Sequence, residues 1–169
     1  MSSDLDRTTI PVAEEEELIS LLAERALEQA APEELALFPE TADEYFRDPD
    51  AALNPRQRDE AVGFGLELAM LTPYVLAVAK PVVRLLASLL EESLAEELKP
   101  SVAQLVRRLL RTGAPAAEPG AAAADAAVLD VAQMRRLRAT AYDRGIALGL
   151  DEARATLLAD SVVGGLVTG

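Results

Sequence analysis

An all-α fold is what this sequence predicts: a helical bundle of amphipathic helices around a hydrophobic central helix, with a C-terminal αα-hairpin. Three observations predict it. Ala, Leu, Glu and Arg dominate the composition, and aromatic residues make up only 4% of the chain, a mixture of helix formers rather than strand formers. Apolar residues recur at i, i+3 and i+4 in one segment after another. Prolines stand at the starts of those segments, where a missing N–H costs nothing. With 169 residues, half of them hydrophobic, the chain can build one full core.

Charge divides the chain. The net charge is −13, and nearly all of it lies before Ala61; the stretch Ala61 to Arg111 is close to neutral. An acidic body repels phosphate backbones, so nucleic acid is not an expected partner. The chain has no Cys and no His, which excludes disulfides, thiolate catalysis and the usual zinc sites. No metal or cofactor is expected. The opening residues, MSSDLDRTTIPVAEEEE, lack a basic region followed by an apolar run, so a cytoplasmic protein is expected. Fourteen Arg against two Lys, with abundant Ala, is the coding bias of a GC-rich bacterial genome.

After a polar start, Met1 to Thr9, the first helix is predicted over Val12 to Ala30. Its apolar stripe is Leu18, Leu21, Leu22, Ala26 and Ala30, reinforced by Ile19 and Leu27. Glu14 to Glu17 lie at its positive end, where the macrodipole favours them; they read as a solvated helix start, with an acidic partner site as the other reading. Pro32 opens a short turn carrying Leu35, Leu37 and Phe38, which Pro39 is expected to interrupt. Thr41 and Glu44 have capping-box spacing and predict a new short helix there. Asp48-Pro49-Asp50 reads as a further turn and helix start. A calcium loop beginning at Asp48 is excluded, because Leu53 takes the required glycine position and Asp59 the terminal glutamate.

Asn54, Pro55 and Gln57 predict a helix from Pro55 to about Val62. Gly63-Phe64-Gly65 loosens the backbone after it, as a close-packed joint or a hinge; no strand precedes it and the phosphate-loop spacing is absent. The stretch Ala61 to Leu98 carries the densest aliphatic sequence. Its longest uncharged run, Leu68 to Ala79, would rise only ~18 Å as a helix, short of a bilayer core of ~30 Å. A longer span would carry Lys80 and Arg84 inside the membrane. Pro73 and Pro81 are expected to restart or kink the chain, giving two or three helical segments. Gly63, Gly65, Pro73 and Pro81 are therefore the candidate hinge residues. Val83, Leu86, Leu90, Leu94 and Leu98 form a seam, with Glu91, Glu92, Glu96 and Glu97 outside it.

Pro100 and Ser101 restart the helix, and Val102, Leu105, Val106, Leu109 and Leu110 repeat at amphipathic spacing. Arg107, Arg108 and Arg111 lie toward the other side. They suit a helix C-terminus by the macrodipole, and are the candidate contacts for a partner or an anionic lipid surface. Thr112 to Asp125 reads as a linker rich in Ala, Pro and Gly. Two helices follow. The first, about Ala126 to Leu148, has Met134, Leu137, Ala141 and Leu148 on one face, a weak point at Gly145 and a stop at Gly149. Asp151 caps the second, with Leu157, Leu158, Val162 and Leu166 apolar. The Gly164-Gly165 pair reads as a helix end and a fraying tail. The domain organisation read from this is a helical core over residues 1–111, a linker at 112–125 and a helical hairpin at 126–169. The second hairpin helix carries Asp151, Glu152 and Asp160 against Arg154 alone, the wrong charge for the major groove.

No catalytic residues emerge. Glu67 has apolar neighbours and would be the one acid or base if buried, but pairing with Lys80 or Arg84 is the preferred reading, because no second polar group stands at a defined spacing from it. The chain is not expected to be an enzyme.

One segment carries a resemblance. LFPETADEYFRDPDAAL followed by RDEAVGFGLELAMLTPYVLAVAKPVVRLLASLLEE, with the Gly63–Gly65 glycines, Thr72-Pro73 and the aliphatic helix after Pro81, resembles small uncharacterised bacterial proteins of gene clusters that also encode caspase-like or trypsin-like effectors. The resemblance covers about Leu37 to Leu110. It implies a non-enzymatic accessory role and no catalytic or binding residues. Two functions follow as expectations. The first is an adaptor or regulator acting through protein–protein contacts, by a partner or by self-association. The second is a membrane-active component whose residues 61–98 meet lipid once the acidic N-terminal third is displaced.

Overall fold

The computed structural model describes residues 10–54, 70–93, 102–112 and 129–167, and all regular structure in them is helical. The elements are α1 (Val12–Ala30), a 3-10 helix (Pro32–Leu37), α2 (Phe38–Arg47), α3 (Pro49–Leu53), α4 (Thr72–Ser93), α5 (Val102–Thr112), α6 (Val131–Ala147) and α7 (Glu152–Val167). The joint at Gly63–Gly65, the helix predicted from Pro55 and the linker from Gly113 to Asp125 lie outside the described residues.

Four helices close a ring. α1 packs on α4, α4 on α6, α6 on α7, and α7 back on α1. The C-terminal hairpin is therefore two walls of the bundle, and Leu137, Ala141, Leu158, Val162 and Leu166 belong to the same buried cluster as Leu18, Leu22, Leu76 and Leu86. Two attachments complete the fold. α5 packs against α1 and α4, and α2 with α3 packs against α4.

α1 has the predicted span, but a wider buried face than a single stripe. Leu18, Ile19, Leu22, Ala23, Ala26 and Leu27 are all buried, because the helix has α4, α5 and α7 around it. α4 is the predicted central helix and touches all six of the other α-helices described. It is one continuous helix through Pro81, which corrects the expected break there. An interior proline costs ~3 kcal/mol. Against that stand Val75, Leu76 and Val78 before it and Val82, Val83, Leu86, Leu89 and Leu90 after it, all buried. Each such side chain stabilises the fold by roughly 1.5–3 kcal/mol relative to exposure, so keeping both halves in line on α1 and α6 outweighs the lost hydrogen bond.

Pro73, by contrast, is a start. Leu71 accepts the first helical hydrogen bond, from Val75 N–H at 2.9 Å, which puts Pro73 in the first turn. In the α2 region, Pro39 does not interrupt the chain; the 3-10 helix runs directly into α2, with Pro39 in its first turn. Thr41 is likewise inside α2 and not its cap. Its hydroxyl donates to the Leu37 carbonyl at 3.0 Å, the back-bond a threonine makes inside a helix. Asp48 does cap α3, accepting from Ala51 N–H at 3.1 Å.

The hairpin is built on three local devices. Asp130 and Gln133 form a reciprocal capping box at the start of α6, so that helix begins at Val131. Gly149, at φ +86°, ends it: Leu150 N–H reaches the Gly145 carbonyl at 3.1 Å and Gly149 N–H the Ile146 carbonyl at 3.0 Å, the double bond of a Schellman turn. Asp151 then accepts from Arg154 N–H at 2.8 Å to start α7. The expected fraying at Gly164-Gly165 is corrected, since α7 continues to Val167 with Gly165 and Leu166 buried. A Cβ on Gly165 would stand 2.9 Å from the Arg25 Cβ and 3.4 Å from the Arg25 carbonyl carbon. The absent side chain is what lets α7 lie against the backbone of α1.

Candidate interaction surface

The polar structure that joins helices is concentrated on α1. Glu15 precedes Ile19 by one turn and so stands at the head of the buried face, its side chain 14% exposed. It accepts from Arg84 of α4 through two nitrogens, Nε at 2.7 Å and Nη2 at 3.4 Å. Glu17 faces α5 and takes Arg107 the same way, Nε at 3.1 Å and Nη2 at 2.8 Å. The Arg111 guanidinium lies 4.0 Å from the same carboxylate. Arg25, two turns further along α1, donates to the Arg111 carbonyl at 3.3 Å, in the last turn of α5. Two-point Arg–carboxylate pairing fixes geometry as well as charge. Its energy is modest where water has access, about 0.2–1 kcal/mol per pair.

The candidate residues are placed accordingly. Arg107 is held on α1; Arg111 is exposed but leans on the same glutamate; Arg108 is exposed on the outer side. On the buried side of α5 are Ala103, Val106, Leu109 and Leu110, with Val102 and Leu105 half-buried. The four-glutamate run thus does more than meet the helix dipole, since two of its members cross to other helices. Of the hinge candidates, Pro73 is buried in the first turn of α4 and Pro81 lies within that helix. Gly63 and Gly65 lie outside the described residues, as does Glu67, and the Arg84 guanidinium is taken by Glu15.

Glu34 is the functional side chain that sequence reasoning missed. From the 3-10 helix its carboxylate accepts Leu71 N–H at 2.7 Å, Thr72 N–H at 2.8 Å and the Thr72 hydroxyl at 2.6 Å. It caps α4 from 38 residues away. Thr72 itself is fully buried. The signal in the sequence was Thr72-Pro73, which marks a helix start; nothing in it names a capping partner so distant.

Apolar side chains also reach the surface. The large ones left exposed among the described residues are Val12, Leu37, Val131, Ile146, Leu157 and Val167, and the last four all lie on α6 and α7. On the outer side of the hairpin Arg138 pairs with Asp160 at 2.6 Å. Among the described residues the fold acts on the titration of Tyr45: burial pushes its hydroxyl above the usual tyrosine value, with Arg144 acting to lower it and Asp50 to raise it. Among the described residues no three acidic side chains stand together as a metal site. Every buried side-chain polar atom among them has a hydrogen-bond partner.

No protein-family model matches this chain, and comparison with curated proteins and with solved structures gives no match to either.

Proposed function

We propose that this protein is a helical adaptor or regulator that works through protein–protein contacts, as an accessory component of a bacterial effector system. The observation that carries the reading is the hairpin surface. α6 and α7 already bury one face in the bundle, yet they still present Val131, Ile146, Leu157 and Val167 to water. Four of the six large apolar side chains exposed among the described residues are on these two helices, and exposed apolar surface is where contacts with other proteins form when it is contiguous. Light scattering on the purified chain, combined with pull-down from its native host, tests this. A complex or oligomer that is lost in an Ile146→Lys, Leu157→Lys double variant supports it. A strictly monomeric protein that recovers no partner refutes it.

A second reading has its own observation. α4 contains a 21-residue span, Thr72–Glu92, long and apolar enough to cross a membrane, although about two thirds of it is buried in the bundle. In this reading the acidic N-terminal helices cover a lipid-seeking element. Insertion would have to break the Glu15–Arg84 pair and the Glu34 cap and carry Lys80 and Arg84 into lipid, each costly. Flotation with anionic vesicles of the full chain and of a form starting at Asn54 decides it: no binding by either form removes this reading.

A further inference from the structure

The ring of α1, α4, α6 and α7 closes without α5, which lies across the seam between α1 and α4. α5 has 11 residues, below the length at which an isolated helix is stable in water. It therefore depends on what it touches. It touches α1 and α4 and, to a smaller extent, α7, through a short apolar face of Ala103, Val106, Leu109 and Leu110 and an exposed polar edge on which one carboxylate, Glu17, holds Arg107 at 2.8 Å and Arg111 at 4.0 Å while Arg25 donates to the Arg111 carbonyl at 3.3 Å.

We infer that α5 is a displaceable cover over the α1–α4 seam, latched by Glu17, and that it opens as a unit while the four-helix ring stays folded. The asymmetry between the elements supports this. α4 and α1 each bury aliphatic side chains toward several neighbours, so neither can leave without dissolving the core. α5 can leave by uncovering its own face and the strip of α1 and α4 beneath it, while the contacts among the four ring helices remain. Glu17 is the natural point of control because its side chain is 46% exposed. Salt reaches it, and an anion that competes for Arg107 and Arg111 would release the helix while the seam beneath it opened.

Hydrogen exchange on the full chain tests the latch. In the wild type, α5 amides should exchange faster than those of Val75 to Ala79 in α4. Raising salt from about 0.05 M to about 0.5 M, which shortens the screening length severalfold, should speed α5 exchange by about two- to fivefold and leave α4 unchanged. Glu17→Gln should speed α5 exchange at low salt by about three- to tenfold and remove most of its salt dependence. Glu15→Gln, which breaks the α1–α4 pair instead, should not reproduce that α5-specific change. Exchange of α5 and α4 through one common opening, in wild type and Glu17→Gln alike, would overturn the separate cover. An α5 that opens separately but ignores both salt and Glu17→Gln would overturn the latch.

Discussion

Replacing Glu34 with Ala removes the acceptor of three hydrogen bonds at the start of the central helix. The donors left behind are Leu71 N–H, Thr72 N–H and the Thr72 hydroxyl, at 2.7, 2.8 and 2.6 Å from the carboxylate. Thr72 is fully buried and Leu71 only partly, so water can replace the acceptor at Leu71 more readily than at Thr72. A buried donor without a partner costs about 1–3 kcal/mol, and two of the three are in that position. The lost charge at the positive helix end adds about 0.3–1 kcal/mol. Allowing for partial relaxation, Glu34→Ala should destabilise the fold by about 2–4 kcal/mol. Glu34→Gln keeps one acceptor oxygen, for the two Thr72 donors, but turns an amide NH2 toward Leu71 N–H, so it should cost about 1–3 kcal/mol, less than Glu34→Ala. Thr72→Val removes the hydroxyl at nearly constant shape. Combined with Glu34→Ala it should cost less than the sum, with a coupling of at least about 1 kcal/mol, because the two changes remove the same bond. Urea titration followed by circular dichroism measures all four proteins, and unchanged m-values would confirm that the midpoints report stability. A Glu34→Ala protein within about 0.5 kcal/mol of wild type, or additive single variants, would refute the claim that this carboxylate organises the start of α4.

Other predictions follow from single contacts. Gly165→Ala should destabilise by about 1–3 kcal/mol, since its Cβ would meet the root of Arg25 at 2.9 Å, whereas the Cβ of Gly164→Ala would meet the side-chain end of Gln29, which can move where a Cβ cannot, so that variant should cost less; thermal melts of the two variants side by side decide it. Leu158→Ala should cost about 2–5 kcal/mol and lower a single transition, because the hairpin shares the core; two separate transitions would show that the hairpin unfolds alone. Tyr45 has its folded-state pKa raised by burial, so the folded state keeps a proton that the unfolded chain gives up near pH 10. The stabilisation is complete below that value and is lost as pH rises through the folded pKa, with a slope of at most ~1.4 kcal/mol per pH unit. Urea midpoints between pH 9 and 11 should fall more steeply for wild type than for Tyr45→Phe.

The sequence by itself determined the helical class, the whole of α1, the amphipathic face of α5, the helix start at Asp48-Pro49-Asp50, the stop at Gly149 and the cap at Asp151. These are local: period, composition and a few side chains within four residues decide them. It also identified α4 as the central element, from its density of aliphatics. Tertiary structure decided what local signals could not. Pro81 and Gly164-Gly165 read as breaks because a proline or a glycine pair weakens an isolated helix, yet both lie in helices that packing keeps continuous, one by the aliphatics on either side of it and the other by close approach to α1. Glu15 and Glu17 read as solvated charges and Glu34 drew no reading at all, because a sequence shows what a carboxylate is beside along the chain and not what folds against it. Their partners stand 69, 90 and 38 residues away. Packing of α1 against α4 and α5, and the approach of the 3-10 helix to the start of α4, bring those pairs within reach, and it is closure of α1, α4, α6 and α7 into one ring that makes the C-terminal hairpin half of the core.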